Sequence, residues 1–592
     1  MTSQLPPLEP GTVLLETGRP DDENQQSLLF RDPVEVLSTH RSTEVPALLR
    51  ELDIRLDRGF HVAGFLDYEC GYAFEAFPEY TDESRPIAWF GVYRQPELWP
   101  VFERDRWDPA LAARVSAATF SWSRDAYESA FRRTKSHLYE GDVYQINLTG
   151  KFRFEYEGSI GHLYRLLKQR QGVAFNALIV TDHDTIISCS PELFFRREGR
   201  RIWTRPMKGT AARGRTIEED HQLADALAAD PKSQAENLMI VDLLRNDLSR
   251  VAELGSVKVS ELFTTERYET VIQLTSTVEA VLRDDVRFAD LFAALFPCGS
   301  VTGAPKIRAM KIIRDIETEA RGVYTGTIGY AAPDGKATFS VGIRTLRLAD
   351  GRGEMGSGGG IVWDSNADDE FDECLLKGRF LTADEPTFQL LETMLCDGEV
   401  KRLDRHVDRL LTSADFFGFS VDPRIVLKKI EDAVEAHGRS GRVKMRLLLA
   451  KDGTVQIEAT SINGVVTDPT IVLSDDRVDS LDRFLYHKTT RRPLYERELD
   501  RAMAAGHLEV VFANERGEIT EGARSNVYCR KSGRLLTPPV SSGLLKGTIR
   551  QELVDQGEVE ERILYPDDLF DADAVFISNA ILGFVEVTPI RS

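Results

Sequence analysis

The sequence predicts an α+β protein in two parts, a large one over residues 1–383 and a smaller one over 386–592. Three observations carry that reading. Helical patterns alternate with strands joined mostly as hairpins, which points to large sheets with helices laid against them. Glycine-rich turns and short strands dominate from Thr325 to Val362, as a sheet-building segment requires. The polar stretch LTADEPTF (381–388) then interrupts the pattern, at a junction too short to be a flexible linker.

In chain order, TVLLET (12–17) reads as a strand, closed by the polar RPDDENQQ (19–26). Residues 61–120 carry strands and turns, with a Pro/Trp-rich excursion from Pro86 to Pro109. The pattern turns helical between Tyr127 and Glu140, and strands return with KFRFEYE (151–157) and ALIVTD (177–182). One long helix is expected from about Ile217 to Leu248, opening on Glu218, Glu219 and Asp220, whose charges suit the positive end of a helix. A further helix is expected at DEFDECLLK (369–377).

A net charge of −21 argues against nucleic acid and anionic membranes as partners, so an anionic substrate would be held by local cations. Cys70, Cys189, Cys298, Cys374, Cys396 and Cys529 are scattered without CxxC or metal spacing, the set of a reduced, cytoplasmic protein. MTSQLPPLEP lacks the basic and apolar regions of a signal peptide, and no apolar run approaches a membrane span.

Chemistry concentrates on Lys208, in TRPMKGT (204–210), sixteen residues after Glu192 in SPELF (190–194). A free lysine has a pKa of about 10.4 and is neutral in roughly one molecule in a thousand at pH 7. A nucleophilic Lys208 therefore needs burial or a neighbouring cation, and Arg205 is the obvious one in sequence. Glu192 would supply acid and base. On the pair alone, Lys208 reads as a solvated loop lysine.

The surrounding blocks change that reading. GFLDYECGYAFE (64–75), GDVYQINLT (141–149), SPELF, TRPMKGT, ENLMIVDLLRNDL (236–248), FPCGSVTGAPK (296–306), GTIGY (326–330), GIRTL (342–346) and GSGGGIVWDSNADDEFDECLLK (356–377) follow one another. In this order they resemble the chorismate-utilising enzymes, and the ordered set is far more specific than any single motif. Within that family the chain is most similar to the aminodeoxychorismate synthases, component I. The resemblance implies a large β-sandwich with helices and amination of chorismate at ring carbon 4, on the way to 4-aminobenzoate for folate.

It also implies roles. Lys208 would attack ring carbon 2 while the carbon-4 hydroxyl leaves, protonated by Glu192, and ammonia would then displace the lysine. Glu236 and Glu373, each of which alone would read as a helix-face glutamate, would hold Mg2+ against the ring carboxylate. Tyr330 and Arg344 would grip the enolpyruvyl carboxylate, and Thr302, Gly303 and Lys377 would line the site. Gly358, Gly359 and Gly360, which also read as a tight turn, would offer backbone N–H groups to an anion.

Gln145 stands where isochorismate and salicylate synthases have a water-activating lysine, which disfavours water addition. Anthranilate synthases have a small residue at the Lys208 position, so that activity is the less favoured alternative. Gln273 replaces a family histidine, and Cys298 replaces a glycine and reads as a small buried residue. A separate glutamine amidotransferase subunit is implied as the source of ammonia.

The second part carries FQLLETM (388–394), RLDRHVDRL (402–410), FLYHKTTRR (484–492), EITEGARSNVYC (518–529), GLLKGTIRQEL (543–553) and FISNAILGFVEV (576–587). These resemble the fold-type IV pyridoxal-phosphate enzymes, most similar to the 4-amino-4-deoxychorismate lyases. The resemblance implies a smaller α+β domain in which Lys488 carries the cofactor and moves a ring proton as pyruvate departs. Glu521 would pair with the pyridine nitrogen. Arg409, the Gly547-Thr548-Ile549 turn, Ser578 and Asn579 would meet the phosphate.

Aminotransferases share these residues, and it is the fusion to a synthase that favours the lyase. The usual strands before FQLLETM are not evident in the sequence, so a trimmed small subdomain, or one completed by a partner surface, is expected. A homodimer is a further expectation, since such sites are commonly built across a dimer. The alternative is a non-catalytic docking or dimerisation module.

Overall fold

The computed structural model describes residues 7–19, 26–99, 113–382, 388–437, 441–462 and 468–591. The chain forms two compact units, Met1–Ala212 with Ala224–Glu385, and Arg213–Leu223 with Pro386–Ser592. LTADEPTF falls largely on 383–387, outside the described residues.

In the first unit the described strands build sheets of eleven and ten strands, paired antiparallel throughout. Val13, Phe30 and Ile179 of one sheet share a core cluster with Ala63, Phe65 and Ile328 of the other, so the sheets pack face to face. The run of apolar residues in Val13–Glu16 follows from this. Successive strand side chains point to opposite faces. Val13 enters the inter-sheet core, while Leu14 joins Leu163, Tyr164 and Leu167 of helix Ile160–Arg170 on the outer face. Helix Val45–Asp57 covers the second sheet in the same way, through Val45, Leu48, Leu49 and Leu52.

Two expectations are corrected. The single helix over 217–248 is two helices, Ile217–Ala229 and Pro231–Ser249. Asp230 caps the second, accepting from Ser233 N at 2.8 Å, and Pro231 opens it where no intrahelical N–H is needed. Gly358–Gly360 lie not in a turn but inside strand Arg352–Ile361, paired with Thr149, Leu148 and Asn147 of strand Gln145–Glu157.

In the second unit Leu390–Asp397, Glu399–Val400, Val443–Leu449 and Val455–Ser461 form a four-stranded sheet. Its core is shared with helices Leu403–Phe417 and Pro423–His437. The FQLLETM segment thus leads into an inner strand of this four-stranded sheet. An eight-stranded mixed sheet follows, in which Thr470–Val478 runs parallel to both Glu509–Asn514 and Gly583–Ile590. Among the described residues no helix is long and apolar enough to cross a membrane.

Candidate functional site

Lys208 sits on strand Met207–Ala212, and its backbone is pinned from the neighbouring helix. Buried Asn237 donates to Lys208 O and to Leu274 O, both at 3.3 Å, and accepts from Ser276 Oγ at 2.6 Å. The Lys208 ammonium lies 3.9 Å from Glu236. Burial pulls the Lys208 pKa down and Lys377 assists, while Glu236, Glu370 and Glu373 oppose. Arg205 is not the assisting cation: its Nε donates to the Thr277 hydroxyl at 3.2 Å.

The glycine strand lets these groups converge. A Cβ at Gly360 would lie 2.5 Å from Lys208 Nζ and 3.1 Å from Gln145 Nε2, and one at Gly359 would lie 2.6 Å from Glu370 Oε2. Gln145 is fully buried, and among the described residues neither its amide nitrogen nor its oxygen has a hydrogen-bond partner. Lys377 donates to Gly358 O at 2.7 Å and pairs with Glu373 at 2.7 Å. The site therefore gathers Lys208, Lys377 and three carboxylates, of which sequence reasoning missed Glu370. Its signal was present, since residues three apart share a helix face.

Burial pushes the Glu192 carboxyl up to about 7, against the Ser300 hydroxyl that donates to it at 2.5 Å and the nearby Lys208 charge. Such a group is poised to give and take a proton near neutrality. Cys298 is buried, as expected, with Sγ 3.2 Å from Ser300 Oγ. Gly303 pairs with Ile146 beside Gln145. Thr302 donates to Cys298 O at 2.8 Å and accepts from Asn147 N at 3.0 Å. Gln273 accepts from Thr210 Oγ1 at 3.2 Å.

Arg344 and Tyr330 are not brought together. Thr327 pairs with Val341 at one end of their hairpin and Tyr330 with Thr338 three residues further on, about 10 Å along the strand. The Tyr330 ring packs toward Phe30, at 5.9 Å between centroids. The tyrosine beside Arg344 is Tyr324. Burial pulls the Arg344 pKa down, and among the described residues no carboxylate pairs with it.

In the second unit every residue expected to hold the cofactor lines one cavity of about 440 Å³: Arg409, Lys488, Glu521, Gly547, Thr548, Ile549, Ser578 and Asn579. Burial, aided by Arg492 and Arg409, pulls Lys488 down to about 7. Burial pushes Glu521 up to about 7, while Leu545 N at 3.2 Å and the Tyr495 hydroxyl at 3.4 Å donate to it. Arg409 is aimed by Glu392, which accepts from its Nε at 2.8 Å and Nη2 at 2.7 Å, and from His406 at 2.7 Å. Burial opposes ionisation of Glu392, yet Arg409 and His406 hold it down to about 2. A Cβ at Gly547 would lie 1.9 Å from Asn526 Oδ1, so the backbone ahead of helix Thr548–Asp555 stays bare toward the cavity. The amine, the acid, the arginine and the helix start fit pyridoxal phosphate.

Comparison with known proteins agrees with both halves. Residues 13–383 match the family profile of chorismate binding enzymes, and residues 389–590 that of class IV amino-transferases. The chain is 35% identical over 411 residues to aminodeoxychorismate synthase component 1 of Salmonella typhimurium, covering 62% of this chain and 90% of the relative. It is 43% identical over 336 residues to the protein of the same name from Escherichia coli, covering 52% and 73%. The solved anthranilate synthase component I from Streptococcus pneumoniae superposes with a TM-score of 0.51 at 25% identity, covering 63% of this chain and 91% of that one.

Proposed function

Since the chain belongs to the chorismate binding enzymes, we propose that its first unit converts chorismate to 4-amino-4-deoxychorismate and its second releases pyruvate from that product, yielding 4-aminobenzoate. The observation that carries the first step is the meeting of a half-buried lysine, its pKa pulled down by desolvation, with a carboxyl poised at about 7, Lys208 and Glu192. Lys208 Nζ adds to ring carbon 2 as the double bond shifts and the carbon-4 hydroxyl leaves, taking the Glu192 proton as water. Ammonia then adds at carbon 4, the double bond shifts back and the lysine amine departs, with Glu192 accepting a proton.

Arg344, half-buried and without a carboxylate partner among the described residues, suits the enolpyruvyl carboxylate, with Tyr324 beside it. Glu236, Glu370 and Glu373, the carboxylates around Lys208, offer the oxygen donors that Mg2+ prefers, though among the described residues their oxygens do not all lie within 4.8 Å of one another; a bound Mg2+ would neutralise the ring carboxylate. Ammonia would come from a glutamine amidotransferase partner, and the acidic chain with six free cysteines suits the cytoplasm.

In the second unit, pyridoxal phosphate supplies an electron sink. Lys488 takes the ring proton, Arg409 and the Gly547–Ile549 turn hold the phosphate, and Glu521 faces the ring nitrogen. Lys444, Arg446 and Arg524 at the same cavity offset the two substrate carboxylates. We take 1–383 and 386–592 as the catalytic halves and a homodimer as the assembly.

Incubation with chorismate, Mg2+, ammonium and pyridoxal phosphate should yield 4-aminobenzoate and pyruvate, resolved by chromatography, and Lys208→Ala should stop the first step. Anthranilate as product would overturn the reading of Lys208. Aminodeoxychorismate alone would reduce the second unit to a binding module.

A further inference from the structure

The segment Arg213–Leu223 begins five residues after Lys208 and lies within the chorismate-binding match, yet it clusters with the second unit. What it touches there is the residue next to Lys488. The His487 ring is buried, stacked on Phe416 at 4.3 Å and edge-on to Phe417 at 4.8 Å between centroids. Its Nε2 lies 3.0 Å from Arg215 O, and its Nδ1 2.9 Å from Ser413 Oγ. A carbonyl only accepts, so Nε2 carries the proton and Nδ1 accepts from the serine hydroxyl. Burial holds the His487 pKa down to about 4, so this neutral form persists at physiological pH.

The segment is itself held firmly. Arg213 lies 4.6 Å from the centre of the Phe416 ring, donates to Phe416 O at 2.8 Å and pairs with fully buried Asp220. The other Asp220 oxygen accepts from Gly214 N at 2.7 Å, and a Cβ at Gly214 would come within 2.7 Å of Asp220 N. Arg215 donates to the Tyr486 hydroxyl at 3.1 Å. On the far side of His487, Lys488 O accepts from Leu391 N at 2.9 Å.

We infer that Arg213–Leu223 is a positioning strap for Lys488: Arg213 and Arg215 O clamp His487 and so fix the backbone from which Lys488 enters the cofactor cavity. This rests on the reading of Lys488 as the cofactor lysine. Among the described residues neither arginine lines the cavity, so their hold on Lys488 runs through His487, while Glu218 of the same segment pairs with Lys546 at 3.4 Å, next to the Gly547 turn.

The test uses the full chain carrying Arg213→Ala or Arg213→Lys, titrated with pyridoxal phosphate by visible absorbance. Circular dichroism checks the fold, and borohydride reduction followed by peptide mass spectrometry locates the attached cofactor. Arg213→Ala should weaken cofactor affinity about tenfold and shift the visible band of what remains bound. Arg213→Lys, which keeps the charge over Phe416, should recover part of both. Parent-like affinity and spectrum in a folded Arg213→Ala chain would overturn the strap. If the alanine variant does not fold, Arg213→Lys decides: weakened affinity supports the strap and parent-like affinity overturns it. A parent chain with no cofactor attached at Lys488 would overturn the site assignment itself, and the strap with it.

Discussion

Ser300 offers a direct handle on Glu192. Its hydroxyl donates to the carboxylate at 2.5 Å, inside a site where burial holds the carboxyl at about 7. A hydrogen bond to a charged group contributes about 1.5–3 kcal/mol, and one pKa unit corresponds to about 1.4 kcal/mol. Ser300→Ala removes a donor that favours the ionised form, so the Glu192 pKa should rise by about 1–2 units. Amination needs Glu192 protonated when the hydroxyl leaves. The alkaline limb of kcat/KM for chorismate, with saturating ammonium at each pH, should therefore move from about 7 to between about 8 and 9. An unmoved limb, or one displaced to lower pH, would refute the assignment of Glu192 as the acid held by Ser300.

Glu192 also bears on stability. Its carboxyl is raised from 4.5 to about 7 in the folded chain, so the folded state holds a proton that the unfolded state has lost between those pH values, and stability falls as pH rises through that window. Glu192→Gln should thus stabilise the chain at pH 8 by on the order of 3 kcal/mol and have little effect at pH 4, read from urea unfolding at both. Glu392→Gln removes the charge that aims Arg409 and should weaken pyridoxal phosphate binding at least about tenfold in an absorbance titration; unchanged affinity would place Arg409 away from the phosphate. Glu370→Gln should raise the Mg2+ concentration for half-maximal amination about tenfold, and an unchanged requirement would remove Glu370 from the ligand set.

The sequence was most legible where a role belongs to a contiguous block. Lys208, Glu192, Lys488 and Glu521 were named from their blocks, and the structure places each in a buried setting that shifts its pKa toward neutrality. Choices within a block were harder. Tyr324 and Tyr330 stand six residues apart, and only strand register tells which one lies at the Arg344 end of the hairpin. Arg205 is near Lys208 in sequence, but side chains along extended backbone alternate faces, so the assisting cation comes from Lys377 on a distant helix. The helix break at Asp230–Pro231 was written in the sequence as a capping residue followed by proline. Nothing local marked Arg213–Leu223, because its partners lie about 200–330 positions away, and such pairing leaves no periodic trace.

The division of the second unit into two pieces of chain has a consequence for inheritance. A break in the gene anywhere between codons 224 and 385 gives a downstream product without residues 213–223, and so without Asp220 and the carbonyl that His487 meets. Duplication or transfer of the 3′ portion alone would copy a lysine without its clamp. Recombination could exchange this portion cleanly only among genes already carrying a matching upstream segment, which would tend to keep the two coding regions travelling together.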